Sequence, residues 1–508
     1  MKAAYFPPLL LWLWLASTSA LIASSEKLQD VEAGTFGDAY PSLLAAAEGN
    51  WGGILSDDVE KETLRDEVWN RLEILGKVSD APDKLQRTFL SPAMQEAMAL
   101  LQEWMTDAGM RTWVDIMGNV HGRVDAPNST APALLLGSHF DTVIDAGKYD
   151  GTLGVITSIA AVKGLLQGGH TASLLKRPIE LVAFCDEEGV RFGSTFLGSR
   201  AIAGGFNPKI LDVTDDTGTT VAAALLEAGL ATGLGKLPEQ IAELAFKPSE
   251  VAGYVEVHIE QGPVLERKGV ALGVVPTICG QTRLTVTVQG AQGHAGTVPM
   301  ALRKDAMAAA AEVYVTIEKI CGGGRYGRPE EASGRPVWQG GTGLVGTVGD
   351  VRVWPGASNV IPGRVIFSVD IRAPMDDLRE TAVKDVTEAI YTICIRRGVK
   401  CEVKRKHDAM ATQCAPAYVS KLQSAASRAI DIIGGTTGIS GLGPGDVPIV
   451  VSGAGHDAMA MAKLTQVGIL FVRCKAGISH SPEEAVEPDD IWAASLALML
   501  FLQEETLK

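Results

Sequence analysis

Ala133-Leu134-Leu135-Leu136-Gly137-Ser138-His139-Phe140-Asp141 is the stretch on which the fold turns. Its first residues, Ala133–Gly137, are a short apolar run, which reads as a strand buried on both faces, the kind found in a parallel sheet. A histidine and an aspartate follow almost at once, so reactive groups stand where the strand ends. Three more runs repeat the pattern. Ile179–Phe184 leads into Asp186-Glu187-Glu188, Tyr254–Val257 leads into His258, and the loop beyond Val467–Val472 carries His480. Helical segments lie between them, among them Leu153–Leu166 and Ala93–Asp107, the latter opened by a Ser91-Pro92 start signal. This is the βαβ alternation of an α/β fold.

Between about 277 and 408 the pattern changes. Arg283–Gln289 alternates apolar and polar as a half-buried strand, and Lys304–Ile320 reads as a helix. Leu344–Val353 and Arg364–Ile371 read as strands, Asp377–Arg396 as a helix and Lys400–Lys406 as a strand. The order βαββαβ is that of a ferredoxin-like α+β sandwich. The expected organisation is therefore a catalytic domain in two segments, 61–276 and 409–508, interrupted by an inserted domain at 277–408. Gly322-Gly323-Gly324-Arg325-Tyr326-Gly327 matches GxGxxG in form but follows a helix and runs into a Pro-rich stretch, so it reads as a loop.

The chain has 508 residues, with 60 acidic against 45 basic side chains and a net charge of −15. An acidic protein lacks the basic footprint that nucleic acid or an anionic membrane requires. At 46% hydrophobic and 21% charged residues it can bury a large core, which excludes disorder. Residues 1–24 combine Lys2, the apolar run Leu9–Ala16 and the small residues Ser17-Thr18-Ser19-Ala20, the pattern of a secretory signal peptide. An uncleaved anchor fits the same pattern. Residues 25–60 form a lead-in without clear periodicity. Entry into the secretory pathway is expected, with the endoplasmic reticulum as the destination; Asn128-Ser129-Thr130 is a glycosylation sequon. No later stretch reaches 18 uninterrupted apolar residues, so no membrane span is expected in the mature chain. Seven cysteines, with no CxxC pair, argue against a disulfide framework.

The strand-end groups are the candidate site. His139, His258, His480, Asp150 and the Glu187-Glu188 pair would converge on one crevice, because the carboxyl ends of strands in an open α/β sheet share a rim. Imidazoles and carboxylates gathered there suit a two-cation site for hydrolysis. His121, His170 and His407 stand outside any motif and read as structural.

Several of these stretches, Gly137–Asp141, Gly147–Gly151 and Asp186–Phe192, resemble motifs of the metal-dependent aminoacylase/carboxypeptidase (peptidase M20-like) family. The likeness is closest to its amidase/hydantoinase/carbamoylase branch. His258–Pro263, Gly293–Gly296 and Ser479–Glu483 are similar to further motifs of that branch, in the same order. The resemblance implies a two-metal aminopeptidase-like catalytic domain with a mixed, largely parallel sheet, and an inserted ferredoxin-like lid through which two copies form a homodimer. One divalent metal would take His139, Asp150 and His258; the other would share Asp150 and take Glu188 and His480. Mn²⁺ is favoured by the likeness, while the ligand types alone suit zinc equally. Glu187 would act as general acid and base, with Asp141 hydrogen-bonded to His139. His294 would polarise the scissile carbonyl, often across the dimer interface. Asn359 and Arg372 would hold a substrate carboxylate, with Gln261 and His456 lining the pocket. The expected substrate is a small ureide. Ureidoglycolate and N-carbamoyl amino acids remain open as alternative substrates, as does a catalytically silent ureide-binding protein.

Overall fold

The structure, a computed structural model, describes residues 57–507 apart from 234, 325–342, 438–440, 442 and 444–445. The expected signal peptide, most of the lead-in and the end of the Gly322–Gly327 loop lie outside those residues. After helical segments at Asp57–Lys61, Glu62–Asp66 and Glu67–Leu75, the chain forms helix α1 (Pro92–Asp107), strands β1 (Arg111–Val114), β2 (Val120–Val124) and β3 (Ala133–His139), and helix α2 (Thr152–Gln167). Strands β4 (Ile179–Phe184), β5 (Val251–Ile259) and β6 (Leu272–Val275) follow. A second unit contains β7 (Gly280–Gln289), α3 (Ala306–Lys319), β8 (Val345–Thr347), β9 (Val351–Trp354), β10 (Arg364–Ala373), α4 (Asp376–Arg396) and β11 (Lys400–Ala409). The chain then returns through α5 (Pro416–Thr437), β12 (Val467–Val472) and α6 (Pro488–Thr506).

Seven strands make one sheet in the order β1-β2-β4-β3-β5-β12-β6. Its centre, β4-β3-β5-β12, is parallel. The flanking strands β1, β2 and β6 are antiparallel, giving a mixed, largely parallel sheet. Side chains alternate across a strand, and β3 uses both faces. Leu134 and Leu136 join the core that contains α2 and α6, while Leu135 joins Tyr254 and Phe471 on the other side. Truncating such a leucine to alanine costs about 2–5 kcal/mol.

Helix α2 is apolar nearly all round because β3 and β5 lie on one side and α6 on another. At Gly154 an added Cβ would stand 1.9 Å from the Val257 carbonyl oxygen. Glycine therefore lets the start of α2 press on β5, next to the residues that precede the helix. Ser91 caps α1 through the Met94 N–H, as the Ser-Pro signal predicts.

The second sheet runs β8-β10-β7-β11, with β9 also on β10, all antiparallel. Leu284, Val286, Val288, Val365, Phe367, Val369 and Ile371 face the helix layer of α3 and α4. The order is that of a ferredoxin-like sandwich. The single strand expected at 344–353 is two strands, because residues 348–350 bend where Asp350 and Ser368 exchange hydrogen bonds. Thr277–Ile278 pairs with Thr412–Gln413, so the chain leaves and re-enters the first unit side by side.

Cys394 and Cys401 form a disulfide with a Cα separation of 6.1 Å, which the absence of CxxC did not reveal. A helix-to-strand turn at Gly398, with φ +65°, brings residues seven apart in sequence together. The other five cysteines are buried and free. Among the described residues no helix is long and apolar enough to cross a membrane.

Candidate functional site

Strands β3, β4, β5 and β12 present their carboxyl ends to one rim. His139 closes β3, His258 lies near the end of β5, Glu187 and Glu188 follow β4, and His480 lies in the loop beyond β12. Asp150, just ahead of α2, stands at the centre. Its Oδ1 is 3.5 Å from His139 Nε2 and 3.1 Å from His258 Nε2. Its Oδ2 is 3.1 Å from His480 Nε2, which is also 3.1 Å from Glu188 Oε1. Main-chain carbonyls face the far nitrogens: Asp141 O lies 3.1 Å from His139 Nδ1, and Ile259 O lies 2.9 Å from His258 Nδ1. A carbonyl only accepts, so each Nδ1 carries a proton and each Nε2 points at Asp150.

This donor set fits a pair of cations. His139, Asp150 and His258 place candidate ligand atoms within 4.8 Å of one another, as do Asp150, Glu188 and His480. His139, Glu187 and Glu188 form a third such group. Asp150 Oδ1 is buried without a well-formed hydrogen bond. Burial alone would raise the Asp150 carboxyl, yet the three imidazoles that face it hold it well below the carboxylate range. Asp150 and Glu188 in turn push His480 up to about 10. A cluster that attracts protons this firmly suits a metal ion, and mixed imidazole and carboxylate donors suit zinc or manganese.

The backbone is strained around these groups. Asp186, Phe196, Gln261 and His480 all have φ between +53° and +62° without being glycine. Such conformations persist only where the surroundings enforce them, commonly at functional sites. At Gly151, φ is +66° and an added Cβ would stand 2.4 Å from the His139 ring.

Glu187 is buried and lines the cavity. Burial and the neighbouring Glu188 push its carboxyl well above the usual range. A carboxyl so placed can hold and return a proton near neutral pH. Asp141 acts differently from the expectation. Its carboxylate is 3.7 Å from His139 Nδ1 and instead accepts the N–H groups of Glu187 (3.0 Å) and Glu188 (3.2 Å). The tight turn leaves the backbone oxygen of Asp141, not its side chain, beside the imidazole.

Gln261 lines the cavity, but its amide donates to Asp150 Oδ2 at 2.7 Å. His456 does not line the cavity. It is buried behind His258, with ring centroids 4.4 Å apart, and its Nε2 is 2.7 Å from Ser452 Oγ. Arg372 lines the cavity with its fork engaged: Nε and Nη2 donate to Asp370, and Nη1 donates to the Gly453 carbonyl. His294 and Asn359 are exposed neighbours on a small ribbon and are not among the cavity-lining residues. Asn128 is exposed, and its side chain accepts from the N–H and hydroxyl of Thr130.

The cavity holds about 930 Å³. Three of its polar contributors carried no sequence motif: Gln281, Arg283 and His407, all on the second sheet. His407 therefore faces the cavity, contrary to its structural reading. Its register opposite Arg283 comes from a bulge at Arg405/His407, which periodicity does not reveal. Glu484 was also missed. It accepts the N–H groups of Tyr149 (2.7 Å) and Asp150 (3.1 Å), and Ser479 Oγ lies between its Oε2 and Asp150 Oδ2. Its position four residues after His480 was the available signal.

A carboxylate shared among imidazoles beside a raised-pKa glutamate, at the carboxyl rim of a parallel sheet, defines a metal-dependent hydrolase. The comparisons narrow that class: the chain belongs to peptidase family M20/M25/M40, whose model matches residues 135–504. Allantoate deiminase 2 of Glycine max is 51% identical over 473 residues, covering 91% of this chain and 94% of that protein. An amidase of the hydantoinase/carbamoylase family from Burkholderia multivorans superposes with a TM-score of 0.75 at 28% identity, covering 88% of this chain and 99% of that one. AtUAH, solved in complex with glyoxylate, superposes at 0.68 with 30% identity, covering 90% and 99%.

Proposed function

We propose that this chain hydrolyses allantoate at a ureido group, yielding ureidoglycine, ammonia and carbon dioxide. The observation that carries the reading is the shared Asp150 carboxylate, with His139 and His258 on one oxygen and His480 on the other. The half-identical allantoate deiminase supports the choice of substrate. His139, Asp150 and His258 would hold one divalent ion, and Asp150, Glu188 and His480 a second, with Mn²⁺ favoured. Bound there, the ions supply a water of lowered pKa and a Lewis acid for the carbonyl oxygen.

Glu187 takes the proton of the attacking water on its carboxylate and returns it to the departing nitrogen. Arg372 receives the substrate carboxylate through Nη1, whose present acceptor is only a backbone carbonyl; a carboxylate is the stronger acceptor. Asn359 and His294 complete the site from the second copy of a homodimer built through the 277–408 unit. Their exposure outside the cavity of their own chain supports this reading. The chain enters the secretory pathway through residues 1–24, resides in the endoplasmic reticulum and carries a glycan on Asn128. The deciding experiment is ammonia release under Mn²⁺ with allantoate, ureidoglycolate and N-carbamoyl amino acids compared. A clear preference for either rival substrate sinks the allantoate reading.

A further inference from the structure

Arg372 is not the only cation on the cavity wall, and its fork is already engaged by Asp370 and Gly453. Arg283 also donates to Asp370, at 3.2 Å. Two other cations line the same cavity from the first unit: Arg200, in the helix Leu197–Ile202, and Lys463, just after Ala458–Met461. Neither has a carboxylate in ion-pair range or a side-chain hydrogen bond among the described residues. In a chain of net charge −15, a half-buried Arg200 left without a counter-charge at a cavity needs an explanation.

The local geometry prepares Arg200 for a ligand. Its guanidinium lies over the Phe196 ring, 5.6 Å from the centroid. Phe196 is itself strained at φ +62° and is packed so closely on Gly455 that an added Cβ there would stand 2.9 Å from its Cζ. Stacking uses the face of a guanidinium and leaves its N–H edge free for a bidentate acceptor. Lys463 is exposed, and its ammonium lies on the main-chain side of this helix: the position a Cβ would take on Gly205 is 3.8 Å from the Arg200 backbone oxygen and 4.0 Å from Lys463 Nζ. Burial already depresses the Arg200 pKa, so the charge is partly desolvated without a counter-charge. That arrangement is unfavourable until an anion arrives.

We infer that Arg200, stacked on Phe196, is a second cation for the single carboxylate of the substrate and shares that anionic end with Arg372. The inference rests on the ureide reading above and assigns the specificity for a carboxylate to the first unit as well as to Arg372.

The test uses full-length, Mn²⁺-loaded enzyme. Arg200→Gln is expected to raise KM for allantoate about 10- to 100-fold, the range for a lost charge-assisted contact, with kcat within about 3-fold. Arg200→Lys should recover part of the loss. The uncharged carboxamide of allantoate should show no difference between wild type and Arg200→Gln. An unchanged KM for allantoate, or an equal loss on the carboxamide, overturns the contact. Calorimetric titration with glyoxylate separates this from the substrate reading. An affinity that falls at least about 10-fold in Arg200→Gln supports the contact even if allantoate is not turned over, and an unchanged affinity refutes it.

Discussion

The Asp141 carboxylate accepts the Glu187 N–H at 3.0 Å, and its second oxygen accepts the next N–H, that of Glu188, at 3.2 Å. One side chain from the β3 end thereby fixes both glutamates beyond β4. Asparagine would keep one acceptor and turn an N–H₂ group toward the other backbone donor. Asp141→Asn should lower kcat about 10- to 100-fold, the range seen for residues that orient ligands. Steady-state kinetics with metal analysis checks this; wild-type activity would show that the pair is positioned by something else.

Glu187→Gln preserves shape and removes the proton carrier. Turnover should fall by at least about 100-fold, within the usual worth of general acid–base catalysis. Metal content should stay at the wild-type level. Loss of metal instead would move Glu187 to the ligand set, where its grouping with His139 and Glu188 would then belong.

Chelation should inactivate the enzyme, with Mn²⁺ restoring it. Metal binding to the folded state alone also raises stability. The metal-free protein should therefore melt earlier and recover on titration with Mn²⁺, as scanning fluorimetry would record. Rescue by Zn²⁺ alone would reverse the choice of metal.

His121 gives a pH dependence through its own carboxylate partners, none of them a candidate metal ligand. Burial opposes its charge, but hydrogen bonds to Asp115 and Glu180 outweigh burial and push it up to about 9. A folded pKa above the unfolded 6.5 adds stability that is fully present below pH 6.5 and lost as pH rises through 9. At about 1.4 kcal/mol per unit the ceiling is about 3 kcal/mol. His121→Gln should thus be less stable than wild type at pH 6, with the gap closing toward pH 9 in urea titrations. A pH-independent gap would refute the charged pairing.

The strands that build the rim were legible because each is an uninterrupted apolar run with a polar terminus. Ile179–Phe184 and Val467–Val472 end where those runs end. The antiparallel neighbours β1 and β6 are four residues long, too short for periodicity to identify. At the site, residue type and spacing pointed to Asp150 and the three histidines. Side-chain direction stayed hidden, since it depends on turn geometry. Asp141 is two residues from His139 in sequence, yet its carboxylate reaches across to β4. Arg372 likewise looked free because its partner Asp370 is two residues away on the same face of β10, where spacing alone does not distinguish a clamp from an ion pair.

Gly151 tests how closely the Asp150 turn rests on His139. Alanine there meets two obstacles: φ +66°, which L-residues rarely adopt, and a Cβ only 2.4 Å from the imidazole. The first costs about 1–3 kcal/mol wherever it occurs. The second must displace the His139 ring. Gly169→Ala separates the two, because Gly169 has φ +85° and nothing within 4 Å of an added Cβ. Both variants should lose stability in chemical denaturation, while only Gly151→Ala should lose Mn²⁺ affinity, by about 10-fold or more. Equal metal binding in the two variants would mean that the turn tolerates a side chain and that His139 is held independently of it.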